Sequence, residues 1–156
     1  MRNWHSVSLA LIVLFCSVLA AARDVALIAN KSSRIESLSV AELIKICKGQ
    51  NQHWPDGRAI TFITRDPATP EMKLVLEKIY AMPKDEVAAL IANANHNRAD
   101  HPAIVVVDSD EALVKKVETT PGAIGLVDVY AITGGVKVLR VGDRLPLQPG
   151  YLLHGN

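Results

Sequence analysis

The chain has 156 residues, 49% of them hydrophobic, with 17 basic and 16 acidic side chains and a formal net charge of +1. That length and apolar share support one compact domain with its own core. The balanced charge supplies no electrostatic drive toward nucleic acid or an anionic membrane surface, and two cysteines are too few for a disulfide-stapled scaffold.

The chain opens with Arg2, a mostly apolar run from Val7 to Leu19, and the small residues Ala20-Ala21-Ala22. The run is shorter than the roughly 20 residues of a membrane span. Its pattern predicts a secretory signal peptide over 1–22, and therefore an exported protein with no membrane span after cleavage. A single domain over 23–156 remains. Arg2 is the one formal charge in the leader, so the mature chain carries 16 basic and 16 acidic residues. Cys16 leaves with the leader. Cys47 is then a lone thiol, in register with Val40, Leu43 and Ile44 on the apolar face of a helix, where a buried structural role is expected.

In chain order, the near-continuous apolar run Asp24 to Ala29 predicts a strand covered on both faces. A polar loop from Asn30 to Arg34 follows. Ser39 and Glu42 form a capping box for a helix ending near Gly49. The turn Trp54-Pro55-Asp56-Gly57 carries an indole read as a core plug. It leads into a strand, Ala59 to Thr64, that delivers Arg65. Thr69 and Pro70 open the next helix as N-cap and first residue. Met72, Val75, Leu76 and Ile79 form its apolar face, with Lys73 and Glu77 paired on the wet side.

Pro83 starts a helix with Val87, Leu90 and Ile91 inward, running out in the polar segment Asn93 to Asp100. Ala103 to Val107 is the clearest β run. Asp108 and Glu111 are expected to cap a helix packed through Leu113, Val114 and Val117. Pro121-Gly122 breaks to a buried strand, Ala123 to Val127. Gly134-Gly135 turns the chain into Val136 to Val141, which is expected to form an antiparallel pair. The proline-spaced tail from Leu145 reads as an edge strand or a loose end. Alternating strands and helices closed by a hairpin give an α/β fold, a three-layer sandwich with a mixed sheet.

An arginine at the end of a strand, facing a helix mouth, is one way an α/β protein holds a small anion. Arg65 therefore supplies the charge, with a salt bridge to Asp66 or Glu71 as its structural rival. Hydroxyls of Thr69, Ser32 and Ser33 are candidate further contacts, with Lys31 or Arg34 as added charge. His96, Asp100 and His101 fit no common zinc spacing, so no metal is expected. The sequence has no G-x-S-x-G elbow, H-E-x-x-H helix, C-x-x-C pair or P-loop. It is read as a non-enzyme that needs no cofactor.

Three segments in order, L-S-V-A-E-L-I-K-I-C-K-G, W-P-D-G-R-A-I with Arg65 behind it, and T-P-G-A-I-G-L-V, resemble the periplasmic phosphate-binding proteins of ABC transporters. The resemblance is nearest to short, single-lobe PBP-like relatives and runs from Asp24 to about Val141. It implies one lobe of a type II periplasmic binding protein, acting in uptake or sensing of a small anion such as phosphate. A second copy or an envelope protein would supply closure. The family follows this arginine with a serine–glycine–threonine run; here Thr69 matches the serine, while Pro70 and Glu71 replace the other two. Pro70 removes a backbone donor and Glu71 repels an anion. These departures set the alternative expectation, a periplasmic interaction or sensor-accessory module that has lost its ligand.

Overall fold

A computed structural model describes residues 23–155; the expected signal peptide over 1–22 lies outside the described residues. Five strands form the main sheet in the order β4-β3-β5-β1-β6. They are β1 (Val25–Asn30), β3 (Thr61–Arg65), β4 (Ile104–Val107), β5 (Ala123–Asp128) and β6 (Val136–Val138). β3 runs parallel to both β4 and β5, whereas β1 is antiparallel to β5 and β6. The fold is the expected mixed α/β sandwich. A small second sheet pairs β2 (Ser37–Leu38) with β7 (Arg140–Val141) in parallel, an element the sequence did not announce.

Strand alternation divides the core in two. Leu27, Ala29, Phe62, Ile124 and Leu126 face the larger cluster, packed beneath α1 (Val40–Cys47), the helical stretch through α2 (Lys73–Val75) and α3 (Lys84–Ala94). Ala26, Ile28, Ile63, Ala123 and Val127 face the opposite cluster, closed by Leu113, Val114 and Val117 of α4 (Asp110–Thr119). Gly125 lies under that helix: a Cβ there would sit 2.7 Å from Leu113 Cδ2 and 3.2 Å from Val117 Cγ2. The glycine lets helix and sheet approach.

The Ser39–Glu42 capping box forms as expected, with Glu42 Oε2 accepting from the Ser39 N–H at 2.8 Å and the Ser39 hydroxyl accepting from the Glu42 N–H at 3.2 Å. Cys47 is fully buried, and desolvation pushes its thiol pKa upward. Trp54 is buried as a plug, its indole N–H donating to the Gly122 carbonyl at 3.0 Å.

Other expectations are corrected. The stretch after Thr69 is not one regular helix: a 3-10 turn (Pro70–Met72) passes through α2 into a π turn (Leu76–Tyr80) that stops at Ala81, φ 50°. The wider turn brings both Ile79 and Tyr80 inward, and the Tyr80 hydroxyl donates to the Cys47 carbonyl at 2.9 Å. Burial raises the Tyr80 pKa. Glu77 lies 3.9 Å from Lys78 rather than pairing with Lys73. At the start of α4 the side-chain cap is Ser109, which accepts from the Ala112 N–H at 3.0 Å; Asp108 does not serve.

The expected hairpin between β5 and β6 does not form. β1 lies between them and is antiparallel to both, so residues 129–135 carry the chain across from one end of the sheet to the other. The run Val136 to Val141 also divides at Leu139, leaving the main sheet to join β2.

The edge strand β4 has its own protection. Ile104 turns its N–H and carbonyl away from β3, and the Asn95 side chain meets both, at 3.0 and 2.7 Å. A side-chain amide thus replaces a neighbouring strand where an open edge would invite pairing with another chain.

The C-terminal tail is neither an edge strand nor a loose end. Tyr151 and Leu153 are buried in the larger cluster, the Val25 N–H donates to the Leu153 carbonyl at 2.9 Å, and the Tyr151 hydroxyl donates to the Val25 carbonyl at 2.8 Å. Asp24, 1% exposed, accepts from the Leu147 N–H and meets His154 Nδ1, both at 2.6 Å. Apolar side chains two apart in a proline-spaced segment pack as a strap.

Leu153→Ala is expected to cost about 2–5 kcal/mol, the range for emptying a buried leucine site, measured by urea unfolding; a loose tail would cost nothing. Glu42 is held below the ordinary carboxylate range by the Ser39 hydroxyl and then by the Ser39 backbone N–H. Its contribution to stability is therefore present above the ordinary glutamate pKa and lost as pH falls through the depressed one. Ser39→Ala should return the Glu42 titration, followed by NMR, toward the ordinary range.

Candidate functional site

The direction of β1 decides which candidate residues share a site. Ala29 pairs with Ile124, and Ala123 with Thr61, so the end of β1 lies level with the start of β3. Arg65 stands four residues further along β3, about 13 Å away at the usual strand rise. Ser32 and Ser33 follow β1 and sit at the opposite end of the sheet from Arg65 and Thr69. The four candidate ligands do not converge.

At the Arg65 end, β3 pairs Arg65 with Val107 of β4, and the chain then enters α4. That step places Asp110, in the first turn of α4, against the guanidinium. Arg65 Nη1 donates to Asp110 Oδ1 at 2.6 Å, with the two side chains only 11% and 21% exposed. Glu71 Oε2 lies 4.0 Å from Nη2, on a side chain 48% exposed. The structural rival to a ligand therefore exists, but its main partner is Asp110. Asp66 turns instead to the Ala68 N–H, at 2.8 Å. Arg65 Nε is buried without a partner.

Thr69 does not cap with its side chain; its hydroxyl donates back to the Asp66 carbonyl at 2.8 Å. Pro67 and Pro70 flank this turn and contribute no N–H donors. An open groove of about 620 Å³ starts at the same turn and runs past Lys73 and Lys84, but Arg65 does not line it.

At the other end, Asn30 organises the loop after β1. Its buried amide donates to the carbonyls of Val117 and Glu118 at 3.0 and 2.9 Å, and its oxygen accepts from the Ser32 N–H and hydroxyl at 2.9 and 2.7 Å. Ser32 has thus committed its proton, and its oxygen accepts from Arg58 Nη1 at 3.3 Å. The Ser33 oxygen accepts from the Ile35 N–H at 3.2 Å.

Among the described residues, no group of three or more His, Cys, Asp or Glu side chains is placed to hold a metal, and no helix is long and apolar enough to cross a membrane.

Residues 15–142 match the family described as the PBP superfamily domain. The chain belongs to that family. No curated protein matches it. Among solved structures, an ABC-type phosphate transport receptor from Vibrio cholerae superposes with a TM-score of 0.69 at 16% identity, over 86% of this chain and 54% of that one. PstS from Borrelia burgdorferi gives 0.67 at 21% identity, over 86% and 55%. A phosphate binding protein from Stenotrophomonas maltophilia gives 0.60 at 18%, over 80% and 40%. These likenesses establish the fold, and the chain spans 54%, 55% and 40% of the length of these three proteins.

The Asp110 partner could not be read from the sequence: 45 residues separate it from Arg65, and an acid in a first helical turn already has a local explanation in the helix dipole. Asp110→Ala is expected to lower stability by about 1–3 kcal/mol, since it leaves a largely buried guanidinium short of a charged partner. Asp66→Ala, on an exposed turn, should cost less; urea unfolding of the two variants makes the comparison.

Proposed function

We propose that this PBP domain is an exported, non-enzymatic binding protein that recognises a small oxyanion, phosphate being the first candidate, through Arg65. The signal peptide over 1–22, the domain over 23–156 and the periplasmic location belong to this reading. One observation carries it: the buried Arg65 Nε has no partner. A guanidinium offers two parallel N–H groups along its Nε–Nη2 edge, the geometry that grips a carboxylate or phosphate with both oxygens. Asp110 holds Nη1 and fixes the plane, leaving that edge for a ligand. An unpartnered buried donor costs roughly 1–3 kcal/mol, and an arriving oxyanion would relieve it. A phosphate transport receptor and a phosphate binding protein of the same fold lend support.

Glu71 is the element to displace. Its exposed side chain sits 4.0 Å from Nη2 and swings clear more easily than the sheltered Asp110. Thr69 completes the mouth only if its hydroxyl leaves the Asp66 carbonyl. Ser32 and Ser33 enter the same shell only through a second copy or a partner protein. Closure over the open lobe would likewise come from an envelope protein or a homodimer, in ABC-type uptake or sensing.

A second reading has its own observation. Asp110 and Glu71 both face the Arg65 guanidinium, and two prolines remove donors from the turn. An interaction or sensor-accessory module that has lost its ligand would keep these features.

Thermal unfolding separates the two readings. The full chain is expressed, recovered from the periplasm, and melted with phosphate, sulfate or acetate. A bound oxyanion at about 100 times its Kd adds roughly 2.7 kcal/mol. Arg65→Ala should abolish the shift. Glu71→Gln should tighten binding roughly fivefold, the Coulomb value of one charge at that distance in water. Absence of any shift, or an equal shift in Arg65→Ala, refutes the oxyanion site and favours the interaction module.

A further inference from the structure

The sheet end opposite Arg65 has a cleft of its own, about 150 Å³ in volume. Ile35, Trp54 and Pro55 supply an apolar lining, and Arg34 and Arg58 stand beside it. The lining is rigid. The Trp54 N–H donates to the Arg58 carbonyl and the Gly57 N–H to the Trp54 carbonyl, both at 2.8 Å, while the indole is tied to Gly122. Gly122 adopts φ +81°, and a Cβ there would collide with the Ala59 carbonyl. Two chain segments therefore lock the indole in place.

Both cations beside the cleft are exposed, and neither makes an ion pair within the described residues. Arg58 makes a long hydrogen bond to Ser32 Oγ, 3.3 Å. The neighbouring carboxylate, Asp56, accepts from the Arg58 N–H at 2.9 Å. Arg34 and Arg58 outnumber it, so the lining carries a net positive charge.

We propose that this cleft binds a small organic carboxylate with an apolar or aromatic tail, its carboxylate held by Arg34 and Arg58 and its tail laid against Trp54. Two guanidinium groups select an anion of fork-compatible shape. The volume is below the 300–1,000 Å³ of ordinary ligand pockets, which limits the tail to a ring or a short alkyl chain. Inorganic phosphate would meet the arginines but leave the indole and proline uncovered. The cleft is independent of Arg65, so either site stands if the other fails.

Calorimetry and tryptophan fluorescence on the full chain test the proposal, with benzoate and hexanoate as probes and benzamide and inorganic phosphate as controls. Benzoate or hexanoate should bind saturably and change the tryptophan emission. Benzamide and phosphate should bind at least roughly tenfold more weakly. The double variant Arg34→Ala/Arg58→Ala should lose roughly ten- to a hundredfold in affinity, the factor for hydrogen bonds to a charged group. Its melting temperature should not change, because both side chains are exposed. Arg65→Ala should bind benzoate like the parent. The proposal is overturned if neither carboxylate saturates at millimolar concentration, if benzamide matches benzoate, or if the double variant binds as the parent does.

Discussion

The direction of β1 is the constraint on which the remaining structure depends. It runs between β5 and β6, antiparallel to both, and is buried on both faces. Its two ends are pinned by polar residues that the core cannot leave unpaired. Asn30 ties one end to the last turn of α4, and Asp24 ties the other to the tail. Reversing that one strand would bring the Ser32 loop beside Arg65. As built, the two lie at opposite ends, and each end has chemistry of its own.

The Arg65 end balances opposing terms. A guanidinium 11% exposed has lost much of its hydration, and Asp110 at 2.6 Å restores part of it with a charge-assisted hydrogen bond. The buried Nε is the remaining deficit. A PBP domain with this arrangement has an arginine already oriented by one carboxylate and screened by a second, more exposed one. Under the proposed reading an anion would compete with Glu71, whereas Asp110 holds one Nη of the fork.

Local signals in the sequence were reliable where the chemistry was local. The capping box at Ser39, the thiol of Cys47 on an apolar helix face and the Trp54 plug each follow from neighbours within a few residues or from the size of one side chain. Helical spacing at Met72, Val75 and Ile79 found the buried face but not the π turn, because a one-residue widening leaves those three positions inward and adds Tyr80. The tail failed as a sequence reading because Tyr151 and Leu153 are too few to show a period. Their burial depends on a groove made by β1 and the larger core cluster.

By itself, the sequence determined the α/β class, the membership of a PBP-type lobe, the strand that presents Arg65 and the capping box that opens α1. Hydrophobic period, caps and turn residues act over three or four positions, so one chain records them directly. Tertiary structure alone decided the partner of Arg65, the separation of Arg65 from Ser32 and Ser33, and the seat of the tail. Each depends on strand order and direction, which are set by packing between residues tens of positions apart. No local pattern states whether β5 will pair with the strand after it or with β1.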